Sequence, residues 1–164
     1  VPPMSFNFDG GIHFTSLGTS AALAAKPLSG HEEASENTDL RNGRFITFNL
    51  ELKSGEGAGI YFEAKDGTKL CTMLNRKQQR LEFGYLNNGW GPNMVVWGQI
   101  YQDVAIEEKS QVKLLARERF IEVYIDDVYV SSWRPDNTID PNRFGFYFED
   151  CDGSLNDLEI WQMA

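Results

Sequence analysis

The feature that most constrains this chain is a strict alternation of apolar and polar residues, repeated along most of its length. Residues 46 to 52 read ITFNLEL, with Ile46, Phe48, Leu50 and Leu52 on one side and Thr47, Asn49 and Glu51 on the other. Residues 58 to 64 (AGIYFEA), 120 to 134 (FIEVYIDDVYVSSWR) and 143 to 149 (RFGFYFE) repeat the pattern. Side chains of an extended chain point to opposite faces in turn, so period 2 marks strands with one buried face. Turn signals separate the runs, among them Asp66-Gly67, Asn87-Asn88-Gly89, Asp126-Asp127 and Asp152-Gly153. Short strands punctuated this regularly predict an all-β fold: a two-sheet antiparallel β-sandwich of jelly-roll type. The stretch TSAALAAKPL, residues 19 to 28, reads as a short helical turn or an edge strand, because Pro27 and the small residues support nothing longer.

Two hairpins can be registered from their turns. A two-residue Asp66-Gly67 turn would pair Lys65 with Thr68, Tyr61 with Thr72, Phe62 with Cys71 and Ile60 with Met73, placing Cys71 on the apolar face. The Asp126-Asp127 turn would pair Ile125 with Val128, Tyr124 with Tyr129 and Val123 with Val130, leaving a tyrosine pair on the polar face. In RFGFYFEDC the alternation sends Phe144, Phe146 and Phe148 inward and Cys151 to the opposite face. Cys71 and Cys151 would then point apart, which predicts two reduced thiols instead of a bridge.

With 164 residues, the chain suits a single domain, 1–164, large enough to fold without a disulfide cage or structural metal. Lys and Arg number 15 against 24 Asp and Glu, a net charge of −9 that argues against binding nucleic acid. No apolar run is long enough to span a membrane as a helix. The chain opens Val1-Pro2-Pro3, which reads as a mature form or an excised module whose own address has been removed; its expected location is extracellular or periplasmic.

The parts of an active site are mostly missing. His31-Glu32-Glu33-Ala34-Ser35 starts like a zinc-protease helix but has no second histidine one turn on, and no Gly-x-Ser-x-Gly elbow occurs. Gly55-Glu56-Gly57-Ala58-Gly59 precedes a strand, so it reads as a turn or bulge and not as a phosphate cradle. The stretch from Asp150 to Asp157 has the oxygen ligands and glycine of a calcium loop, with Asp150, Asp152 and Asp157 as the candidate ligands. It lacks the full ligand spacing, however, so a solvated turn competes with that reading. HEEASENTD, residues 31 to 39, reads as a solvated loop.

The aromatic residues carry more information. Phe6, Phe8, Phe14, Phe48, Phe62, Phe83, Phe144, Phe146 and Phe148 hold core-like positions, whereas Tyr61, Tyr124, Tyr129 and Tyr147 fall opposite the aliphatic residues. Trp90 lies in the turn-rich NNGWGPN, and Trp97 follows closely. A sugar presents an apolar C–H face and a rim of hydroxyls, so its site combines flat rings with carboxylates and amides. Tyr61, Glu63, Trp90, Trp97, Tyr147, Glu149 and Asp152 are therefore the candidate carbohydrate-binding residues. The competing reading is that these rings merely cover a sheet.

GAGIYFEAKDG (57 to 67), LLARERFIEVYIDDVYVSSWRP (114 to 135) and RFGFYFEDCDGSLNDLEIWQM (143 to 163) resemble the concanavalin A-like β-sandwich modules attached to carbohydrate-active enzymes. Within them the chain is similar to the family 66 carbohydrate-binding modules and the C-terminal sandwich of glycoside hydrolase family 32. Such modules often carry an arginine where this chain has Glu63-Ala64, so their sugar contacts are not carried over. The resemblance implies a non-catalytic carbohydrate-binding or accessory module of a glycoside hydrolase. Its expected partners are an oligo- or polysaccharide and a catalytic domain, and no cofactor is required unless calcium binds. The alternatives are a sandwich that only packs on a catalytic domain and a small glycan hydrolase or lyase of lectin-like fold.

Overall fold

The computed structural model describes residues 43–87 and 100–162, together with the backbone of four short strand segments outside those ranges. In chain order the strands are β1 (Ser5–Asn7), β2 (Ile12–Thr15), β3 (Ser20–Ala24), β4 (Arg44–Ala64), β5 (Lys69–Asn75), β6 (Arg80–Asn87), β7 (Asn93–Val95), β8 (Tyr101–Asp103), β9 (Lys109–Ala116), β10 (Ile121–Ile125), β11 (Val128–Trp133) and β12 (Ile139–Gln162). Among the described residues all pairings are antiparallel, and they run continuously through twelve strands. The segment expected to be helical turn or edge strand contains a strand, β3, paired to β12.

β4 and β12 are too long for one layer and pass through both. Arg44–Glu51 of β4 pairs with β9, whereas Gly57–Glu63 pairs with β5. β12 follows β4 throughout, taking β3 as its other neighbour at Gly145–Glu149 and β2 at Asp152–Leu155. At the crossing, Gly55 has φ +97°, and a Cβ there would lie 1.8 Å from the carbonyl oxygen of Asp150, itself at φ +40°. Only glycine fits such an approach, so the glycine-rich segment 55 to 59 serves as a bend. One layer thus contains β5, β6 and the halves of β4 and β12 beside them. The other contains β9, β10, β11 and the remaining halves.

The core fills the space between the layers. Phe48 meets Phe146 edge-on at 5.8 Å between ring centroids, and Phe83 lies 5.5 Å from Trp133. Ile46, Leu50, Leu52, Ile60, Phe62, Val112, Leu114 and Phe148 are among its other members, as their parity predicts.

Three sequence expectations are corrected. The Asp66-Gly67 turn closes a three-residue loop: Gly67 N–H donates to the Ala64 carbonyl, Thr68 N–H donates to Asp66 Oδ1, and Gly67 takes φ +88°. The register shifts by one, so Tyr61 faces Cys71, Ile60 faces Thr72 and Phe62 faces Leu70. Cys71 therefore points away from the main core. Cys151, in contrast, joins that core, because left-handed Asp150 resets the alternation. The thiols still point to opposite faces, reduced and buried, but each on the side expected of the other. At Asp126-Asp127, both in left-handed conformations, the pairs Tyr124–Tyr129 and Ile125–Val128 form as expected. A bulge then puts Ser131, not Val130, opposite Val123.

Candidate functional site

In the β12–β4–β5–β6 layer, the residues between the core positions face outward. Register sets Tyr61 between Gly145 and Cys71, and Tyr147 beside Gly59. Gly59 has no alternative, since a Cβ there would sit 1.8 Å from the Thr72 carbonyl oxygen. Tyr61, Cys71, Met73, Leu86 and Tyr147 form a second apolar cluster on this outward side, with Tyr61 5% and Tyr147 0% exposed. This corrects the expectation that the two tyrosines offer open stacking platforms: a ring with no accessible face cannot receive a sugar. Burial, with help from the Glu63 carboxylate, also raises the pKa of the Tyr61 phenol.

Polar and charged groups border this floor. Asn75 Nδ2 donates to Glu56 Oε2 at 3.1 Å and to Glu82 Oε1 at 3.0 Å, and Arg80 Nε reaches the same Glu82 oxygen at 2.6 Å. Glu82 is almost fully buried, and these two donors compensate its charge. Lys77 Nζ stands 3.3 Å from the other Glu56 oxygen. On the opposite side, Arg143 Nη2 lies 3.2 Å from Glu63 Oε2, and the Lys69 ammonium lies 5.6 Å from the Tyr61 ring centroid. An arginine does stand beside Glu63, but a neighbouring strand supplies it. Tyr147 O–H donates to Glu149 Oε1 at 3.3 Å. Glu149 is nevertheless held above the usual glutamate pKa, chiefly by desolvation and then by the Glu56 carboxylate, against the lowering effect of the tyrosine hydroxyl.

Of the residues singled out from the sequence, the structure brings Tyr61, Glu63, Tyr147 and Glu149 to one face. Asp152 lies beyond the bend, opposite Ser54 of β4 and Thr15 of β2. Trp90 and Trp97 lie outside the described residues, as does the segment 31 to 39. Sequence reasoning missed Glu56, Asn75, Arg80, Glu82 and Arg143. Asn75 and Glu82 could have been found by extending the parity of β5 and β6 through the turn joining them. Arg143 shows itself only once β12 is registered against β4. The calcium reading gains no geometry: Asp150 and Asp157 line different hollows, and among the described residues no three His, Cys, Asp or Glu are grouped to hold a metal ion.

No family model and no curated protein matches the chain. Solved structures do. A family 66 carbohydrate-binding module from Bacillus subtilis superposes with a TM-score of 0.56 at 15% identity, covering 93% of this chain and 82% of that one. The Caenorhabditis elegans galectin LEC-6 gives 0.59 at 7% identity, with 97% and 96% covered. A Bacillus subtilis protein of unknown function with a galectin-like fold gives 0.63 at 9%, with 97% and 86% covered. Similarity at such low identity concerns the backbone and not the binding chemistry. The chain is thus an antiparallel β-sandwich with the fold that a family 66 carbohydrate-binding module shares with galectins.

Proposed function

We propose that this chain is a non-catalytic carbohydrate-binding module, an accessory unit of a glycoside hydrolase working outside the cytoplasm, that holds a glycan on the outward face of the β12–β4–β5–β6 layer. The observation that carries this reading is the network in which Asn75 joins Glu56 to Glu82 while Arg80 and Lys77 neutralise the two acids. Together with the Glu63–Arg143 pair, it places Glu56, Lys77, Arg80, Glu63 and Arg143 as partly exposed, preset donors and acceptors around the buried Tyr61–Tyr147 cluster. Such preorganisation suits sugar hydroxyls, which gain little from a site that must first order itself. The kinship of fold with a carbohydrate-binding module and galectins supports the same reading. With Tyr61 and Tyr147 buried, stacking is assigned to Trp90 and Trp97; Trp90 belongs to the segment joining β6 to β7.

A glycan array on the isolated chain, with a reducing-end assay on every hit, tests this. The expected result is retention of at least one glycan class with no new reducing ends. Binding should weaken about tenfold in Arg143→Ala or Trp90→Ala, with little change in melting temperature. No retention on any glycan would leave a sandwich that only packs on a catalytic domain. A second reading is hydrolysis: desolvation and the Glu56 carboxylate raise the pKa of Glu149, the direction in which a general acid is shifted. Release of reducing ends that disappears in Glu149→Gln would establish it.

A further inference from the structure

The other layer carries a separate polar hollow. Asn156 of β12, Asn49 of β4 and Gln111 of β9 stand in one row across three adjacent strands, paired Asn156 to Asn49 and Asn49 to Gln111. All three line a hollow of about 560 Å³. Adjacent strands are about 4.8 Å apart, so the row spans roughly 10 Å, the length of two linked sugar rings. A primary amide both donates and accepts, and a row of three offers a vicinal diol the alternating partners it needs.

The surroundings fix the ligand further. Glu51 and Lys109 stand opposite each other on β4 and β9 next to the row, and Asp126 and Asp157 line the same hollow. Asp157 Oδ2 accepts from Asn49 Nδ2 at 2.7 Å, and Asp126 Oδ1 accepts from the Gln111 backbone N–H at 2.8 Å. Both carboxylates are thereby held in place. Three carboxylates face one ammonium, so the hollow is net acidic. Ser110, opposite the core residue Leu50, turns its side chain to the other face and leaves this hollow to the amides and carboxylates.

We infer that this hollow is a second saccharide site, independent of the one above, which takes one or two sugar units and prefers those bearing an amine to those bearing a carboxylate. Its amides bind the hydroxyls, and Glu51, Asp126 and Asp157 attract the ammonium group. If both sites bind, the chain is bivalent, with one site on each layer, and tethering two segments of a polysaccharide raises retention beyond either site alone.

Titrating the 15N-labelled chain with a glucosamine tetramer, cellotetraose and tetragalacturonate tests the inference. The side-chain amide signals of Asn49, Gln111 and Asn156 should move with the glucosamine tetramer, move less with cellotetraose and stay still with tetragalacturonate. Gln111→Ala should weaken the response about fivefold, the effect of one neutral hydrogen bond, at unchanged melting temperature. Arg143→Ala and Trp90→Ala should leave these signals' response intact, so failure of one site is distinguishable from failure of the other. Amide signals that stay still with every probe, a preference for the uronate, or full binding in Gln111→Ala would overturn it.

Discussion

The outward faces of the two layers differ, although the same two long strands build both. On the β12–β4–β5–β6 side, Tyr147 is 0% and Tyr61 5% exposed within a second apolar cluster. On the β9–β10–β11 side, Tyr129 is 52% exposed; its ring meets Tyr124 edge-on at 5.7 Å, and Trp161 is 56% exposed. Both sets of rings hold the same parity relative to the core. Facing away from the core is therefore not the same as facing water. What separates the two faces is whether the outward side chains find enough apolar neighbours to exclude solvent together.

The largest expected effect that would break this contrast concerns thiol reactivity. Cys71 lies in the outward cluster and Cys151 in the main core, and desolvation raises the pKa of the Cys71 thiol well above its ordinary value. Both should react with a thiol reagent about a thousandfold or more slowly than in the urea-unfolded chain, since reaction waits on unfolding. Fast reaction of Cys71 alone would mean that the outward cluster opens independently of the core.

Next in size, Tyr147→Ala should cost about 3–5 kcal/mol in urea denaturation, as for other buried aromatic residues. Tyr129→Ala should stay within about 1 kcal/mol. Similar losses at the two positions would erase the distinction. Gly59→Ala should cost about 1–3 kcal/mol, because its Cβ would be driven against the Thr72 carbonyl. An unchanged midpoint would show that the strands bordering the cluster can shift apart.

The smallest effect is electrostatic. Glu149 has a folded pKa above its usual value, so the native state binds this proton more tightly than the unfolded state does. Its contribution then falls as pH rises from the ordinary glutamate value of 4.5 through the folded value, and above that range it is a constant penalty. Glu149→Gln should remove this slope and raise the neutral-pH melting temperature by a few degrees at most. Tyr147→Phe, by removing the hydroxyl that favours the charged carboxylate, should extend the slope to higher pH. A slope of opposite sign in the wild type would place Glu149 in a more polar setting than the one seen.

Much of the fold was legible because alternation is a local property. Phe48, Phe62, Phe83, Phe144, Phe146 and Phe148 sit in the core where their parity puts them, and Asp126-Asp127 sets the tyrosine pair. Where the faces of the two thiols were misjudged, a single left-handed residue was responsible each time. Left-handed Gly67 lengthened a loop by one residue and turned Cys71 outward, while left-handed Asp150 turned Cys151 inward. The candidate site was legible as a set of acids and rings on one face. The Asn75–Glu56–Glu82 network was not, because its members come from β4, β5 and β6 and meet only through register.

By itself, the sequence determined that the chain folds as antiparallel strands with one apolar face, because each residue's parity follows from its neighbours along the chain. Only the tertiary structure decided which outward rings are sealed and which exposed. It likewise decided that three amides from distant segments share a row. Solvent exclusion and cross-strand register depend on what packs beside a strand, and strand order in the sandwich supplies those neighbours.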